Sequence, residues 1–173
     1  MGKMILIFGP NSSGKSRFAE ELAAKTRGDR YYIATMIPQA EENLRRIEKH
    51  RKQRAGLGFT TLELPYQVMQ ADVTADSVVL LEDAANLLAN SIFERNGDSA
   101  QVCQEICALT ERCRLLIVVT ISGLRADGYT GETAAYIDAV NRLNCELLDK
   151  SAAAAELMDG VPVWRKGDIH VVD

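Results

Sequence analysis

The sequence predicts an α/β fold with a mostly parallel central sheet, flanked by helices and carrying an antiparallel hairpin at its C-terminal edge. Apolar runs of five or six residues alternate with longer segments of helical composition along the chain. Several runs are apolar without interruption, which is typical of strands buried on both faces of a parallel sheet. With 173 residues and 47% hydrophobic content, the chain is predicted to form one domain over residues 1–173.

The first half of the chain is predicted to hold four strands and two long helices. The strands cover residues 4–8, 31–35, 59–63 and 77–81, and the helices cover residues 17–24 and 41–54. Gly56 and Gly58 end the second helix, and Pro65 ends the third strand. A short helical stretch is predicted for residues 66–71.

The second half is predicted to add helices at residues 86–93 and 101–112 and a buried strand at 115–120. Residues 121–132 are rich in glycine and are expected to form a mobile loop over the site. Residues 133–158 are predicted to be helical, in one helix or two. A terminal hairpin is predicted from residues 161–165 and 169–172, with its turn at 166–168.

A phosphate-binding loop is predicted between the first strand and the first helix. Its G-x-x-x-x-G-K-S sequence consists of Gly9, Pro10, Asn11, Ser12, Ser13, Gly14, Lys15 and Ser16. Such a loop directs backbone N–H groups at phosphates, next to the positive end of the helix dipole. Lys15 would then reach the β- and γ-phosphates, and Ser16 would bind Mg²⁺. The alternative, a plain turn with an accidental lysine, is less favoured because motif and context agree.

Two carboxylates follow the apolar run at residues 77–81, a strand that we expect to neighbour the phosphate loop. Glu82 and Asp83 therefore lie at a strand end where phosphate-loop enzymes keep the acid that holds Mg²⁺ through water. Glu82 is the favoured candidate and Asp83 the second. The alternative is an acidic turn that caps the next helix, and both interpretations can hold together.

Charge and cysteine content narrow the classes of function. A net charge of −4 argues against a general nucleic-acid-binding protein. The four cysteines lack the paired spacing of a zinc site, and Cys103 and Cys107 are better explained as small buried apolar residues than as ligands. Because there is neither a secretory signal nor a run of about eighteen apolar residues, we expect a cytoplasmic protein without membrane association.

The predicted helix at residues 41–54 is unusually basic, with six Lys or Arg and one Glu between positions 44 and 54. Arg46, His50 and Arg54 share one side of it. A charge run of this kind is usually a solvated face. Alternatively, the two guanidinium groups lower the pKa of His50 below its usual value of about 6.5, which would leave a neutral imidazole able to attack phosphorus.

Three elements in this order resemble the bifunctional adenosylcobinamide kinase / adenosylcobinamide-phosphate guanylyltransferase family of adenosylcobalamin biosynthesis. They are the phosphate loop with residues 17–20, the segment 32–35, and the R-I-x-x-H element that ends at His50. Many families share the phosphate loop, whereas the R-I-x-x-H element at its distance is more specific. The match in order and spacing runs through the first half of the chain, as far as Glu82.

The resemblance implies a RecA-like P-loop NTPase fold, a homotrimer, Mg²⁺, and GTP or ATP as donor. It implies a kinase that phosphorylates adenosylcobinamide, and a guanylyltransferase that passes GMP from GTP to adenosylcobinamide phosphate through His50. By the same match, the nucleotide site would include the phosphate loop together with Thr35, Met36, Ile37, Gln53, Arg54, Glu63 and Glu82. Glu63 corresponds to the acidic residue on the guanine side.

The second half departs from the family pattern. Residues 120–124 replace an Asn-Glu-Val-Gly element, and further on only Asp138 and Asn144 match. Each lost carboxylate or guanidinium group would remove a charge-assisted contact to the acceptor. Two other hypotheses follow: a kinase or nucleotidyltransferase of another small acceptor, and a GTP-binding regulatory subunit with reduced catalysis.

Overall fold

The computed structural model describes residues 2–38 and 41–172. Its strands are β1 (Lys3–Gly9), β2 (Arg30–Ala34), β3 (Phe59–Glu63), β4 (Val78–Glu82), β5 (Leu115–Ile121), β6 (Ala153–Met158) and β7 (Val161–Lys166). Its α-helices are α1 (Lys15–Lys25), α2 (Glu41–Arg54), α3 (Ala84–Arg95), α4 (Ser99–Thr110) and α5 (Gly131–Lys150). Two short 3₁₀ helices cover Val68–Gln70 and Ile169–Val172.

The strands form one seven-stranded sheet in the order β3-β2-β4-β5-β1-β6-β7. Every neighbouring pair is parallel except β6 and β7, which are antiparallel at one edge. The predicted α/β class and mostly parallel sheet are therefore confirmed. Strand β5 lies between β1 and β4. The end of β4 still meets the phosphate loop, as expected, because the Ser16 hydroxyl donates to the Glu82 carboxylate.

The sheet has an apolar core on each face. Alternate residues of β1 point to opposite faces, so Met4 and Leu6 join one core while Ile5 and Ile7 join the other. Helices α3, α4 and α5 supply the first core, and α1 covers the second. Both faces of the central strands are buried, which explains their uninterrupted apolar sequences.

The C-terminal region differs from the sequence prediction. The helix predicted through residue 158 ends at Lys150, and residues 153–158 form strand β6 beside β1. Alanine favours helix, but Ala153, Ala154 and Ala155 are fully buried in the sheet, so tertiary packing overrides the local preference. The edge hairpin consists of β6 and β7, and the segment predicted as its second strand is a 3₁₀ helix.

Helix α2 packs differently from the other helices. Arg54 is its one buried residue among those the structure describes. Its contacts are polar: the Asn43 amide donates to the Ile37 carbonyl at 3.1 Å, Arg51 pairs with Glu63 at 2.8 Å, and Arg54 lies over the ring of Tyr32. The basic helix is therefore solvated on most of its surface and held at the sheet edge by hydrogen bonds and charges.

Cys103 and Cys107 lie in apolar surroundings, although Cys107 is only partly buried. All four are free thiols, Cys103 is buried in the core, and Cys107 packs against it. Within residues 2–38 and 41–172, none of the helices combines the length and apolarity that a membrane span requires.

Candidate active site

The loop between β1 and α1 has the backbone geometry that its glycines allow. Gly14 adopts φ +91° at the N-cap of α1, a left-handed conformation that favours glycine. A Cβ atom on Gly9 would lie 2.8 Å from the Leu157 carbonyl oxygen and 2.8 Å from the Ser13 hydroxyl oxygen. The Lys15 ammonium donates to the Pro10 carbonyl at 3.0 Å, so the lysine folds back over the loop.

Neighbouring elements support this loop from two sides. The Gly160 N–H, in the turn between β6 and β7, donates to the Ser13 carbonyl at 2.9 Å. The Ser122 N–H, just after β5, donates to the Gly9 carbonyl at 3.0 Å. The C-terminal hairpin and the end of β5 therefore fix the loop in place.

The loop opens into a cleft of ≈ 840 Å³ at the carboxyl ends of the parallel strands. One wall is the phosphate loop, and another is the inner side of α2, with Arg46, Lys49 and His50. The rest of the lining includes Ile121 at the end of β5, Leu124 in the segment after it, and residues of α3 and α5. A nucleotide-sized ligand fits this volume.

Glu82 and Asp83 have different roles at the end of β4. The Ser16 hydroxyl donates to a Glu82 carboxylate oxygen, and the Tyr32 hydroxyl donates to the other at 3.2 Å. Asp83 is the N-cap of α3 and accepts the Asn86 N–H at 2.6 Å. Burial raises the pKa of Glu82 and of Asp83, since each carboxylate is removed from water.

Ser16 and Glu82 fit the donor set of a magnesium ion. A hydroxyl oxygen and a carboxylate oxygen lie in direct contact beside Lys15, and Mg²⁺ prefers hard oxygen donors next to substrate phosphates. Burial lowers the pKa of Lys15, and the negative charges of Asp83 and Glu82 oppose that change.

His50 faces this group of residues from α2. Burial lowers the pKa of its imidazole, and the positive charges of Arg46, Arg54 and Lys49 lower it further. Both effects favour the neutral form of the ring. One of its nitrogens lies within 4.8 Å of a carboxylate oxygen of Glu82, the residue that contacts Ser16.

The structure brings most of the predicted site residues into one cleft. Those that line it are Asn11, Ser12, Ser13, Gly14, Lys15, Ser16, Met36, His50, Gln53, Arg54 and Glu82. Gly9, Pro10, Thr35, Ile37 and Glu63 lie outside its lining among the described residues.

Two of the outlying residues have clear structural contacts. Thr35 is fully buried, and its hydroxyl donates to the Glu82 carbonyl at 3.0 Å and accepts the Asp83 N–H at 3.0 Å. It thereby positions the strand end that carries the acid. Glu63 is exposed and pairs with Arg51, so it tethers α2 to β3.

Sequence reasoning missed Glu20 and Tyr32. Glu20 is 1% exposed on α1, four residues after Ser16 and on the same side of the helix. The sequence did contain a signal for Glu20. This acidic residue lies next to Ala19 and about one turn from Ala23, on the apolar face of a short helix. Tyr32 gave no such signal, since an aromatic residue in a strand is ordinary core.

Comparison with known proteins adds to this geometry. The family model described as cobinamide kinase / cobinamide phosphate guanyltransferase matches residues 5–164. The chain belongs to this family. It is 36% identical over 97 residues to the bifunctional adenosylcobalamin biosynthesis protein CobU of Escherichia coli (strain K12), covering 55% of this chain and 53% of that protein. The chain thus matches about half the length of that relative.

A second relative matches along nearly the whole chain. It is the bifunctional adenosylcobalamin biosynthesis protein CobP of Pseudomonas aeruginosa, 28% identical over 171 residues, with 94% of this chain and 97% of that protein covered. The family resemblance noted from the first half of the sequence is therefore confirmed over both halves.

Solved structures show the fold at low identity. The flagellar accessory protein FlaH from Methanocaldococcus jannaschii is 12% identical, with a TM-score of 0.53 over 97% of this chain and 80% of that chain. An ATPase of the type III secretion system of pathogenic bacteria is 14% identical, with a TM-score of 0.57 over 91% of this chain and 52% of that chain. The chain has the RecA-like P-loop NTPase fold that the resemblance implied.

Proposed function

We propose that this protein phosphorylates adenosylcobinamide and transfers GMP from GTP to adenosylcobinamide phosphate through a covalent His50–GMP intermediate. The observation that carries the proposal is the position of His50 in the same cleft as Lys15 and Ser16 of the phosphate loop. A nucleophile and a triphosphate site within one chain permit both reactions. Membership of the family, and the names of the two relatives, support the same pair of activities.

In the first half of the transferase reaction, the neutral imidazole of His50 attacks the α-phosphorus of GTP. A bond forms between a ring nitrogen and phosphorus, and the bond to the bridging oxygen of the β-phosphate breaks, releasing pyrophosphate. Lys15 and the backbone N–H groups of the loop stabilise the charge that develops on the leaving group. The lowered pKa of His50 favours the neutral ring, whose lone pair is the nucleophile.

In the second half, a phosphate oxygen of adenosylcobinamide phosphate attacks the same phosphorus. The nitrogen–phosphorus bond breaks, and its electron pair returns to the ring of His50. The acceptor would contact the part of the cleft lining that contains Ile121, Leu124 and Tyr136. Ile121 and Leu124 belong to the segment that departs from the family pattern, so this part of the lining is where a different small acceptor would be selected.

The kinase reaction uses the same loop. Lys15 holds the transferred phosphoryl group, and the N-terminus of α1 faces the phosphates. Ser16 and Glu82 would hold Mg²⁺, which would neutralise part of the phosphate charge when bound. ATP or GTP can serve as donor, because the loop recognises phosphates and not the base.

The test is covalent labelling with GTP that carries radioactive phosphorus at the α position. We expect acid-labile, base-stable label on the denatured wild-type protein, and none on His50→Ala. The matched control is His170→Ala, because His50 and His170 are the two histidines of the chain. Phosphorylation of cobinamide should persist in His50→Ala, because Lys15 and Ser16 are unchanged.

Other results would favour the alternative functions. Cobinamide phosphorylation without any covalent label would leave a kinase alone. Label that is not transferred to adenosylcobinamide phosphate would indicate a nucleotidyltransferase of another acceptor. Tight GTP binding with neither reaction would indicate a regulatory subunit. Loss of both activities in His50→Ala would contradict separate roles for the histidine and the loop.

We also propose a homotrimer, which the family resemblance implied, and light scattering after gel filtration measures it. The cytoplasmic location expected from the sequence stays a prediction.

A further inference from the structure

We propose that Glu20 is a positioning residue for His50: its carboxylate accepts the Nδ1–H of the imidazole and directs the Nε2 lone pair into the cleft. The inference rests on the proposed function, because it gives His50 its role as the nucleophile. It concerns a residue outside the phosphate loop that carries no assigned role in the chemistry above.

Glu20 is held in a defined orientation with one oxygen unpartnered. Its side chain lies on α1 and is 1% exposed. Its Oε2 accepts a hydrogen bond from the Gln53 amide at 2.6 Å. Its Oε1 is buried and has no hydrogen-bond partner among the described residues. A buried carboxylate oxygen without a hydrogen-bond donor lowers the stability of the fold, so its presence suggests a functional role.

His50 supplies the complementary atom. Its Nδ1 is likewise buried without a partner in the described part of the chain. A ring nitrogen of His50 and a carboxylate oxygen of Glu20 lie within 4.8 Å of each other. A neutral imidazole carries one N–H donor, and a carboxylate only accepts, so a side-chain adjustment that brings the two unpartnered atoms together would satisfy both.

The sequence places these groups through two helices. His50 and Gln53 are three residues apart on α2 and therefore lie on the same side of that helix. Gln53 binds one oxygen of Glu20 and leaves the other for His50. The arrangement follows the general pattern in which a carboxylate fixes the tautomer of a reactive histidine and is itself held by a third residue.

The orientation matters for the chemical step. When Nε2 bonds to the α-phosphorus and pyrophosphate leaves with the electron pair of the broken bond, the ring becomes a cation that keeps its Nδ1 proton. The negative charge of Glu20 then lies next to that cation. When the acceptor removes GMP, the bonding electrons return to Nε2 and the ring is neutral again. Glu20 is neither consumed nor covalently changed.

A metal site is the competing interpretation of the same cluster. Ligand atoms of Glu20, His50 and Glu82 lie within 4.8 Å of one another, which is also compatible with a shared metal ion. We favour the hydrogen bond because Arg46, Lys49 and Arg54 surround His50 with positive charge, which disfavours a further cation.

The first measurement reads the tautomer of His50 by NMR on protein labelled with ¹⁵N in histidine. The chain has two histidines, and His50→Ala assigns the signals. We expect the Nδ1–H tautomer in the wild type and a shift to the Nε2–H tautomer in Glu20→Ala. The Nε2–H tautomer in the wild type would overturn the proposal. This measurement does not depend on catalysis.

The second measurement is the rate of covalent labelling with α-labelled GTP. Glu20→Gln keeps the shape and the contact with Gln53 but removes the charge, and we expect it to lower the rate about 10- to 100-fold. Cobinamide phosphorylation should change little. The matched control is Glu21→Gln, which removes the same charge at the next position, where Glu21 forms an exposed pair with Arg17.

The outcomes separate this inference from the proposed function. Absence of label on the wild-type protein would refute the function while the tautomer still tests the Glu20–His50 contact. Normal labelling by Glu20→Gln would refute the positioning role alone. Loss of wild-type label on treatment with a chelator, restored by Zn²⁺ or Mn²⁺ but not by Mg²⁺, would assign the cluster to a metal and would also overturn the inference.

Discussion

Replacing Glu20 with Gln is expected to stabilise the folded protein at alkaline pH and to have little effect at acidic pH. Burial raises the pKa of Glu20 from its ordinary value of 4.5 to about 7, and the nearby charge of Glu82 adds to the rise. Gln53 donates to Glu20 and partly opposes it. A glutamine at position 20 can still accept this hydrogen bond, so the variant isolates the charge.

The direction of this pH effect on stability follows from the number of protons that the folded and unfolded states bind. Below pH 4.5 the carboxyl group is protonated in both the folded and the unfolded chain, and ionisation costs nothing. Between pH 4.5 and 7 the folded state binds the extra proton, so the free energy of unfolding falls as the pH rises. Above pH 7 the cost is complete. At about 1.36 kcal/mol per pKa unit, a rise from 4.5 to about 7 corresponds to about 3 kcal/mol.

Urea unfolding at pH 5 and at pH 8.5 measures the difference between wild type and Glu20→Gln. Glu82 and Asp83 also have raised pKa values and are present in both proteins, so the comparison removes their contribution except for the interaction between Glu82 and Glu20. The expected gain at pH 8.5 corresponds to a rise in Tm of roughly 6 to 12 °C. Glu21→Gln is the control and should change stability by less than about 1 kcal/mol. An equal difference between wild type and Glu20→Gln at both pH values would refute the reasoning.

Three further substitutions test the loop, a helix cap and the core. Lys15→Ala should lower both activities at least about 100-fold without unfolding the chain, because one phosphate-binding charge is lost; circular dichroism checks the fold. Asp98→Ala removes the acceptor of the Gln101 N–H at the start of α4 and should cost about 0.5–2 kcal/mol in urea unfolding, with activity retained. Leu88→Ala, at a fully buried position, should cost about 2–5 kcal/mol.

The sequence predicted correctly the strands that are buried on both faces of the sheet. The central strands β1, β4 and β5 are apolar on both faces because both faces are covered, and their sequences show this directly. Strand β6 was not predicted, because its first three residues are alanines. Ala153–Ala155 sit between β1 and β7, and nothing in an alanine run distinguishes such a strand from a helix.

The phosphate loop could be predicted from the sequence, but the placement of helix α2 beside it could not. The phosphate loop depends on local backbone geometry, so glycines at fixed spacing predict it. The placement of α2 depends on side chains that are distant in sequence, such as Glu63 with Arg51 and Tyr32 with Arg54. A helix without an apolar face carries no periodic signal for the surface it contacts, and the contact between Glu20 and Gln53 could be found only from coordinates.

The charged groups in the cleft are arranged to bind a ligand, at a cost to the stability of the fold. Burial raises the pKa of Glu20, Glu82 and Asp83 and lowers that of Lys15, so each group is ionised at a cost in the free protein. A triphosphate would supply negative charge to Lys15, and a divalent ion would supply positive charge to Glu82. Helix α2 is held by polar contacts, and its basic residues line the cleft. The charge of a bound nucleotide would therefore attract this helix and influence the position of His50. Desolvation therefore makes these charges costly in the free protein and strengthens their interactions with a bound nucleotide.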